Sequence, residues 1–205
     1  MNHKNQQDLI LGEGFDIVAQ FGVRAFTVEA LSKCLAMSKK TIYKFFPTKE
    51  KLILSITQHC LNQITNVFAT VMKNEPNPAV QFVKIMETIS NFGSRTSLNK
   101  LAELKALYPE IWNEVVSFHL SAQDDFYTIL KNAQDQKLAY KDINIKSTAI
   151  VFNNIINTTF QPEFFLQNDL PIGNTIHDFV KIMAKGIFNE KGLAAIKEYD
   201  EQNKI

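Results

Sequence analysis

Chain breakers are scarce in this sequence. Seven glycines and six prolines in 205 residues fall at intervals that read as punctuation between stretches whose apolar residues recur every three to four positions. No stretch alternates strictly between apolar and polar residues, and the β-branched residues are scattered through helical patterns. The chain is therefore predicted to be all-α. A first helix over roughly 5–21 stops at Gly22, where a left-handed residue is tolerated. Thr27 and Ser38 are placed to cap two short helices, roughly 28–34 and 39–45, and Thr48 a long fourth that runs to about 73. Asn77 and Pro78 open a fifth, a short sixth lies near 98–106, and Pro109 opens a long seventh. An eighth covers roughly 145–160, ended by Pro162, and a ninth about 174–190.

Composition narrows the class. With 45% hydrophobic residues the chain can bury a core, and a formal net charge of +1 gives no bulk preference for nucleic acid or an anionic membrane. There is no run of about 18 apolar residues to span a bilayer, and the polar start MNHKNQQD lacks a signal core. The two cysteines, Cys34 and Cys60, are too few for a disulfide framework and are expected as buried thiols in a cytoplasmic protein.

Charge is local instead. Residues 24–51 carry seven bases (Arg24, Lys33, Lys39, Lys40, Lys44, Lys49, Lys51) against Glu29 and Glu50, a segment charge of +5. Two short helices about four residues apart have the spacing of a helix-turn-helix, whose second helix enters the DNA major groove. On that helix Ile42 and Phe45 share one face, and Lys39, Lys40, Tyr43 and Lys44 fall largely on the other. Ser38 and Thr41 offer small donors near its N-terminus, where the dipole favours an anion. Lys49 sits in the first turn of the long helix, unfavourable for the dipole unless a phosphate is its partner. Lys33 and Lys51 read as solvated; Arg24 is open between phosphate contact and surface residue.

Residues 10–54, and above all the run Ser38–Leu52 (SKKTIYKFFPTKEKL), resemble the DNA-binding region of the TetR family, the tetracycline-repressor-like regulators. The positions that carry the resemblance are Ile10, Leu11, Gly22, Thr27, Val28, Leu31, Ser38, Thr41, Ile42, Tyr43, Phe46, Thr48, Lys49, Glu50 and Leu52. The resemblance implies a helix-turn-helix DNA-binding domain over 1–47 and a helical ligand-binding and dimerisation domain over 48–205, about nine helices in all. It also implies a transcriptional regulator, typically a repressor released from a palindromic operator by a small effector, working as a homodimer paired through its two C-terminal main helices. Tyr43 and Lys49 match positions that contact phosphates, with Thr27, Ser38 and Thr41 as helpers and Lys44 as a fallback. Lys39 and Lys40 match positions that meet base edges, so a modest preference for guanine is expected. Two departures stand out. The turn reads Leu35-Ala36-Met37 where the family usually has Ala-Gly-Val, so Ala36 is strained if its φ is positive. Gly12 and Gly14 are expected to weaken the first helix, by roughly 1 kcal/mol each.

The body is rich in phenylalanine, sixteen in all. Phe82, Met86, Ile89, Phe92, Phe118, Ala122, Phe126 and Phe152 fall on helices that line the pocket in this family, with His119, Asn153 and Asn157 as polar candidates. Together they suggest an apolar cavity for a hydrophobic or amphipathic effector. The segment AIVFNNIINTTF (149–160) is apolar almost all round, as in a helix buried on two sides. The four histidines are scattered, and neither a metal-ligand spacing, a phosphate loop nor a nucleophile elbow is present, so no catalytic site, metal or cofactor is expected. The rival reading is a helical ligand-binding or adaptor protein that keeps a degenerate DNA-binding head.

Overall fold

The computed structural model describes residues 3–94 and 97–203, the side chains of residues 3, 4 and 92–94 excepted. Among the described residues there are eleven α-helices and one π-helical turn: α1 (His3–Ala25), α2 (Val28–Cys34), α3 (Lys39–Phe45), α4 (Lys49–Asn74), α5 (Pro78–Ser94), α6 (Leu98–Leu107), α7 (Pro109–Asp135), α8 (Ile145–Asn154), the π turn (Ile155–Thr159), α9 (Pro162–Gln167), α10 (Ile172–Ile187) and α11 (Glu190–Gln202). The only bridge between extended segments described is an antiparallel one pairing Ala139 and Phe188. No described helix is long and apolar enough to cross a membrane.

The chain packs as two compact units. The first comprises Met1–Gln63 and Arg95–Val116, the second Ile64–Ser94 and Ser117–Ile205. The unit that holds residues 1–47 thus continues through the first half of α4 and takes in α6 with the start of α7.

In the first unit, Ile10, Val23, Phe26, Leu31, Ile42, Leu52 and Ile53 form a core from which water is almost wholly excluded. Ile42 is the inward residue of α3; Phe46 is buried beside it and Phe45 packs against the core more loosely. The helical path of α1 breaks at Gly22, whose φ of 84° and ψ of 164° are open only to glycine at low cost. Helix α6 secures that break. Lys100 Nζ donates to the carbonyl of Ala19 at 3.2 Å and to that of Gln20, and the Arg24 N–H donates to Glu103 Oε1 at 2.5 Å. Gly14 has a packing reason as well: a Cβ there would lie 2.6 Å from Ile56 Cδ1 on α4, whereas one on Gly12 would meet nothing within 4 Å. The expected thiol burial is not found. Cys34 is exposed and Cys60 half-buried, because Val28, Leu31, Ser32 and Leu35 form the inward stripe of α2 and Cys34 lies roughly a quarter turn off it.

In the second unit, the Phe82 ring is fully buried at centroid distances of 5.7, 6.4 and 5.5 Å from Phe126, Phe152 and Phe188. The bend before α5 is held by side chains. Asn77 Oδ1 accepts from the N–H groups of Ala79 and Val80, and Glu75 accepts from Asn77 N–H at 3.1 Å and from Lys84 Nζ at 2.6 Å. Lys84 also lies 5.1 Å from the Tyr199 ring centroid, and the Tyr199 hydroxyl donates to Glu87 at 3.0 Å, tying α11 to α5. Burial and that hydrogen bond push the Tyr199 hydroxyl up to about 12.

Two expectations about the C-terminal helices are corrected. The predicted eighth helix is α8 followed by the wider π turn, and the predicted ninth runs as α10 from Ile172 to Ile187. Pro162 does not only end a helix: it opens α9. Beyond α10, Asn189 caps α11 by accepting from Lys191 and Gly192 N–H, while its Nδ2 donates to the Lys137 carbonyl at 3.0 Å.

Candidate nucleic-acid interface and cavity

Each element of the helix-turn-helix ends in a satisfied cap. Thr27 Oγ1 accepts from Ala30 N–H at 3.1 Å at the start of α2. At its end, Ala36 N–H donates to the Lys33 carbonyl and Met37 N–H to that of Ser32, the paired bonds of a Schellman motif. That motif places residue 36 in the left-handed region, and Ala36 occupies it at φ 49°. The expected strain is present. Ser38 Oγ then accepts from Thr41 N–H at 3.0 Å and lies 2.8 Å from Thr41 Oγ1, fixing the N-terminus of α3. Thr48 does the same for α4 through Lys51 N–H at 3.1 Å.

These caps set which side chains face outward. Thr27, Ser38, Lys39, Lys40, Tyr43 and Lys44 are exposed, and Thr41 and Lys49 half-buried. The lysines differ in what holds them. Lys39 lies 3.7 Å and Lys33 3.4 Å from Glu29, and the charge of Lys39 first, then contacts with Lys33, hold the Glu29 carboxyl below the usual carboxylate range. Lys49 Nζ stands 5.9 Å from the Phe26 ring centroid, which fixes its stem against the core. Lys40 and Lys44 make no ion pair among the described residues. The arrangement is a cationic surface with hydroxyl donors at a helix N-terminus, chemistry suited to phosphate oxygens and groove-edge acceptors.

The second unit encloses a cavity of about 130 Å³. Of the residues expected from sequence, Met86, Ile89, Phe118, His119, Ala122, Phe126, Phe152 and Asn153 line it. Phe82 does not, being held behind the wall by Phe126 and Phe152. Asn157 does not either. It lies in the π turn, which changes the register after Asn154 and breaks the one-turn relation to Asn153. Phe92 lies outside the described side chains. The sequence reading missed Phe68 on α4, Ile85, Asp125 and Ile129, Ile156 and Phe160 around the π turn, and Ile176, Phe179 and Val180 on α10. The α10 residues repeat at helical spacing, so their pattern was visible but indistinguishable from core.

The wall is largely aromatic. Phe126 and Phe152 stack at 4.3 Å, Phe152 and Phe179 at 5.6 Å, and Phe160 meets Phe179 edge-on at 5.1 Å. Polar groups are few. Asn153 is buried and donates to Gln123 Oε1 at 3.2 Å. His119 Nδ1 is sealed from solvent without a partner, as are both side-chain polar atoms of Asn157. Burial pushes the His119 imidazole below its ordinary value, partly offset by Asn157 beside it. Asp125 sits at the exposed rim, its carboxyl pushed up by burial and then by Asp124.

Known proteins resemble the chain in the sequence of its helix-turn-helix and in its fold. Residues 10–56 match the family model of bacterial regulatory proteins, tetR family. The chain is 24% identical over 179 residues to the uncharacterized HTH-type transcriptional regulator YvaF of Bacillus subtilis, covering 87% of this chain and 93% of that protein. Its fold is shared with a transcriptional regulator from Cytophaga hutchinsonii at a TM-score of 0.73, 16% identity and coverage of 92% of this chain and 100% of that one. A putative transcriptional regulator from Saccharomonospora viridis, solved in complex with choline, follows at 0.69 and 13% identity, again covering 92% and 100%. Over residues 10–56 the chain thus resembles the tetR family of bacterial regulatory proteins, and as a whole it has the fold of solved transcriptional regulators, which supports a DNA-binding transcriptional regulator.

Proposed function

We propose that the protein is a repressor that binds a palindromic operator as a homodimer and leaves it when a small hydrophobic or amphipathic effector enters the cavity. Residues 1–47 read DNA and residues 48–205 bind effector and partner. The observation that carries this reading is the outward set on and around α3: Lys40, Tyr43 and Lys44 exposed on a helix whose opposite face, Ile42, is locked in the core. In this reading Tyr43, Lys44 and Lys49 contact phosphates with Thr27, Ser38 and Thr41, and Lys39 and Lys40 face base edges. Because Lys39 is drawn toward Glu29, Lys40 leads the base readout. A protein of the same fold has been solved with choline, which supports a small-molecule role for the cavity. One helix, α4, carries both Lys49 and the cavity residue Phe68. Release needs only that the effector bind the DNA-free conformation better than the DNA-bound one.

Selection of duplexes from random DNA tests this. The wild type should enrich a palindrome. Lys40→Ala should relax one base position per half-site, by about 1–3 kcal/mol of discrimination. Tyr43→Phe should weaken binding evenly across sequences. Binding that enriches no sequence and simply fades with salt would leave a degenerate head on a ligand-binding body.

A further inference from the structure

The polar groups that face the cavity narrow the chemistry of its occupant. Inside, they are an imidazole and a carboxamide. His119 stays uncharged at pH 7, since burial lowers its pKa from an ordinary value of 6.5. Asn153 spends its Nδ2 on Gln123, which leaves Oδ1 as an acceptor. Among the described residues no lysine or arginine lines the wall, and the single carboxylate in the lining, Asp125, is at the solvent-exposed rim. An anion inside would therefore meet no countercharge from the described lining, and the one charge near it has its own sign. A primary ammonium would be drawn to the phenylalanine faces, but it would give up its water for a cavity whose described carboxylate stands at the exposed rim, screened by solvent, and the ring attraction offsets only part of that cost. A neutral hydroxyl or amide meets both a donor or acceptor on His119 and an acceptor on Asn153. Of the two imidazole nitrogens, Nδ1 is the sealed one, which leaves Nε2 as the nitrogen open to a ligand. At about 130 Å³ the space is close to the size of cavity known to hold benzene.

We infer that the cavity selects an uncharged molecule of roughly benzene size bearing one hydrogen-bonding group, an alcohol or an amide, gripped by His119 and Asn153. This rests on the reading of the cavity as the effector site and specifies what that site accepts.

Four probes of matched size separate the possibilities by calorimetric titration of the full-length protein at pH 7: toluene, benzyl alcohol, benzylamine and benzoate. Benzyl alcohol should bind about tenfold more tightly than toluene, and more tightly than either ion by at least that factor. His119→Phe, which keeps a ring of similar shape, should bring benzyl alcohol to the toluene level and leave toluene unchanged. On the wild type, the imidazole ¹⁵N resonances of His119 should shift with benzyl alcohol and not with toluene, a readout that holds even if the variant folds poorly. Tightest binding by benzylamine would make this a cation site served by Asp125 and overturn the inference, as would tightest binding by benzoate. Toluene matching the alcohol would remove the polar grip and leave the effector reading intact. No binding by any of the four would overturn the effector reading itself, and this inference with it.

Discussion

Single residues in the head show how a motif tolerates a substitution at a conformational price. The turn between α2 and α3 needs a left-handed residue to close its two hydrogen bonds, and a Cβ in that region crowds the neighbouring backbone. Ala36 meets the need at φ 49° with nothing but local strain. Ala36→Gly should therefore stabilise the protein by about 0.5–1 kcal/mol, after the greater freedom of glycine in the unfolded chain is deducted. Urea unfolding of the full-length chain measures this; an unchanged or lowered midpoint would mean the turn is relaxed with alanine. Gly14 teaches the opposite lesson. Helix propensity alone marks it as a defect, as it does Gly12, yet Gly14 leaves room for Ile56 and Gly12 leaves room for nothing. One sequence signal covers two different physical situations, and only packing separates them.

At the scale of elements, legibility followed chemistry that is local. The starts of α2, α3, α4 and α5 were readable because Thr27, Ser38, Thr48 and Asn77 cap them through bonds spanning two or three residues. Helix α11 was not readable. Its sequence is polar and resembles a solvated tail, and it is held by distant contacts: Asn189 to the Lys137 carbonyl, Gly192 close against the Leu138 carbonyl, and Tyr199 to Glu87. Proline was read correctly where Pro109 opens α7 and incompletely where Pro162 both follows a π turn and opens α9, because a π turn leaves no spacing signature. That turn also hid Phe160 and Ile156 from the reading of the cavity. The join between α4 and α5 carries its own prediction. Burial raises the Glu75 carboxyl, but the Lys84 hydrogen bond, the Asn77 N–H and the Lys84 charge together outweigh it and leave the group more acidic than usual. Its contribution is thus full above the ordinary value of 4.5 and is lost as pH falls through the lower folded value. Glu75→Gln should lose about 1–2 kcal/mol at pH 7, with the gap to wild type closing in acid. A gap that stays constant down to pH 3 in thermal melts would show the loss to be steric.

At the scale of the whole molecule, the apolar surface left uncovered bears on assembly. On α8, Ala149, Phe152 and Asn153 face inward while Ile150 is 46% and Val151 57% exposed; on α10, Val180, Ala184 and Ile187 face inward while Ile182 is 68% exposed. The sequence made α8 apolar almost all round, and one chain uses only half of that surface. Isolated apolar residues on a surface are ordinary, but here they lie on the two helices that the family resemblance assigns to pairing, which supports a twofold dimer. A palindrome is read by two heads whose binding is linked, so affinity for it depends on the dimer far more than on any one phosphate contact. Val151→Glu combined with Ile182→Glu places charges on exposed positions, so it should leave helicity and thermal stability nearly unchanged. It should convert the protein to a monomer in sedimentation equilibrium and reduce operator affinity by at least about a hundredfold, while a single half-site is bound as before. A dimer that survives the double substitution would move the interface to another face. A monomer that still holds the full palindrome at wild-type affinity would mean that each head reads DNA alone, and the twofold reading would fall.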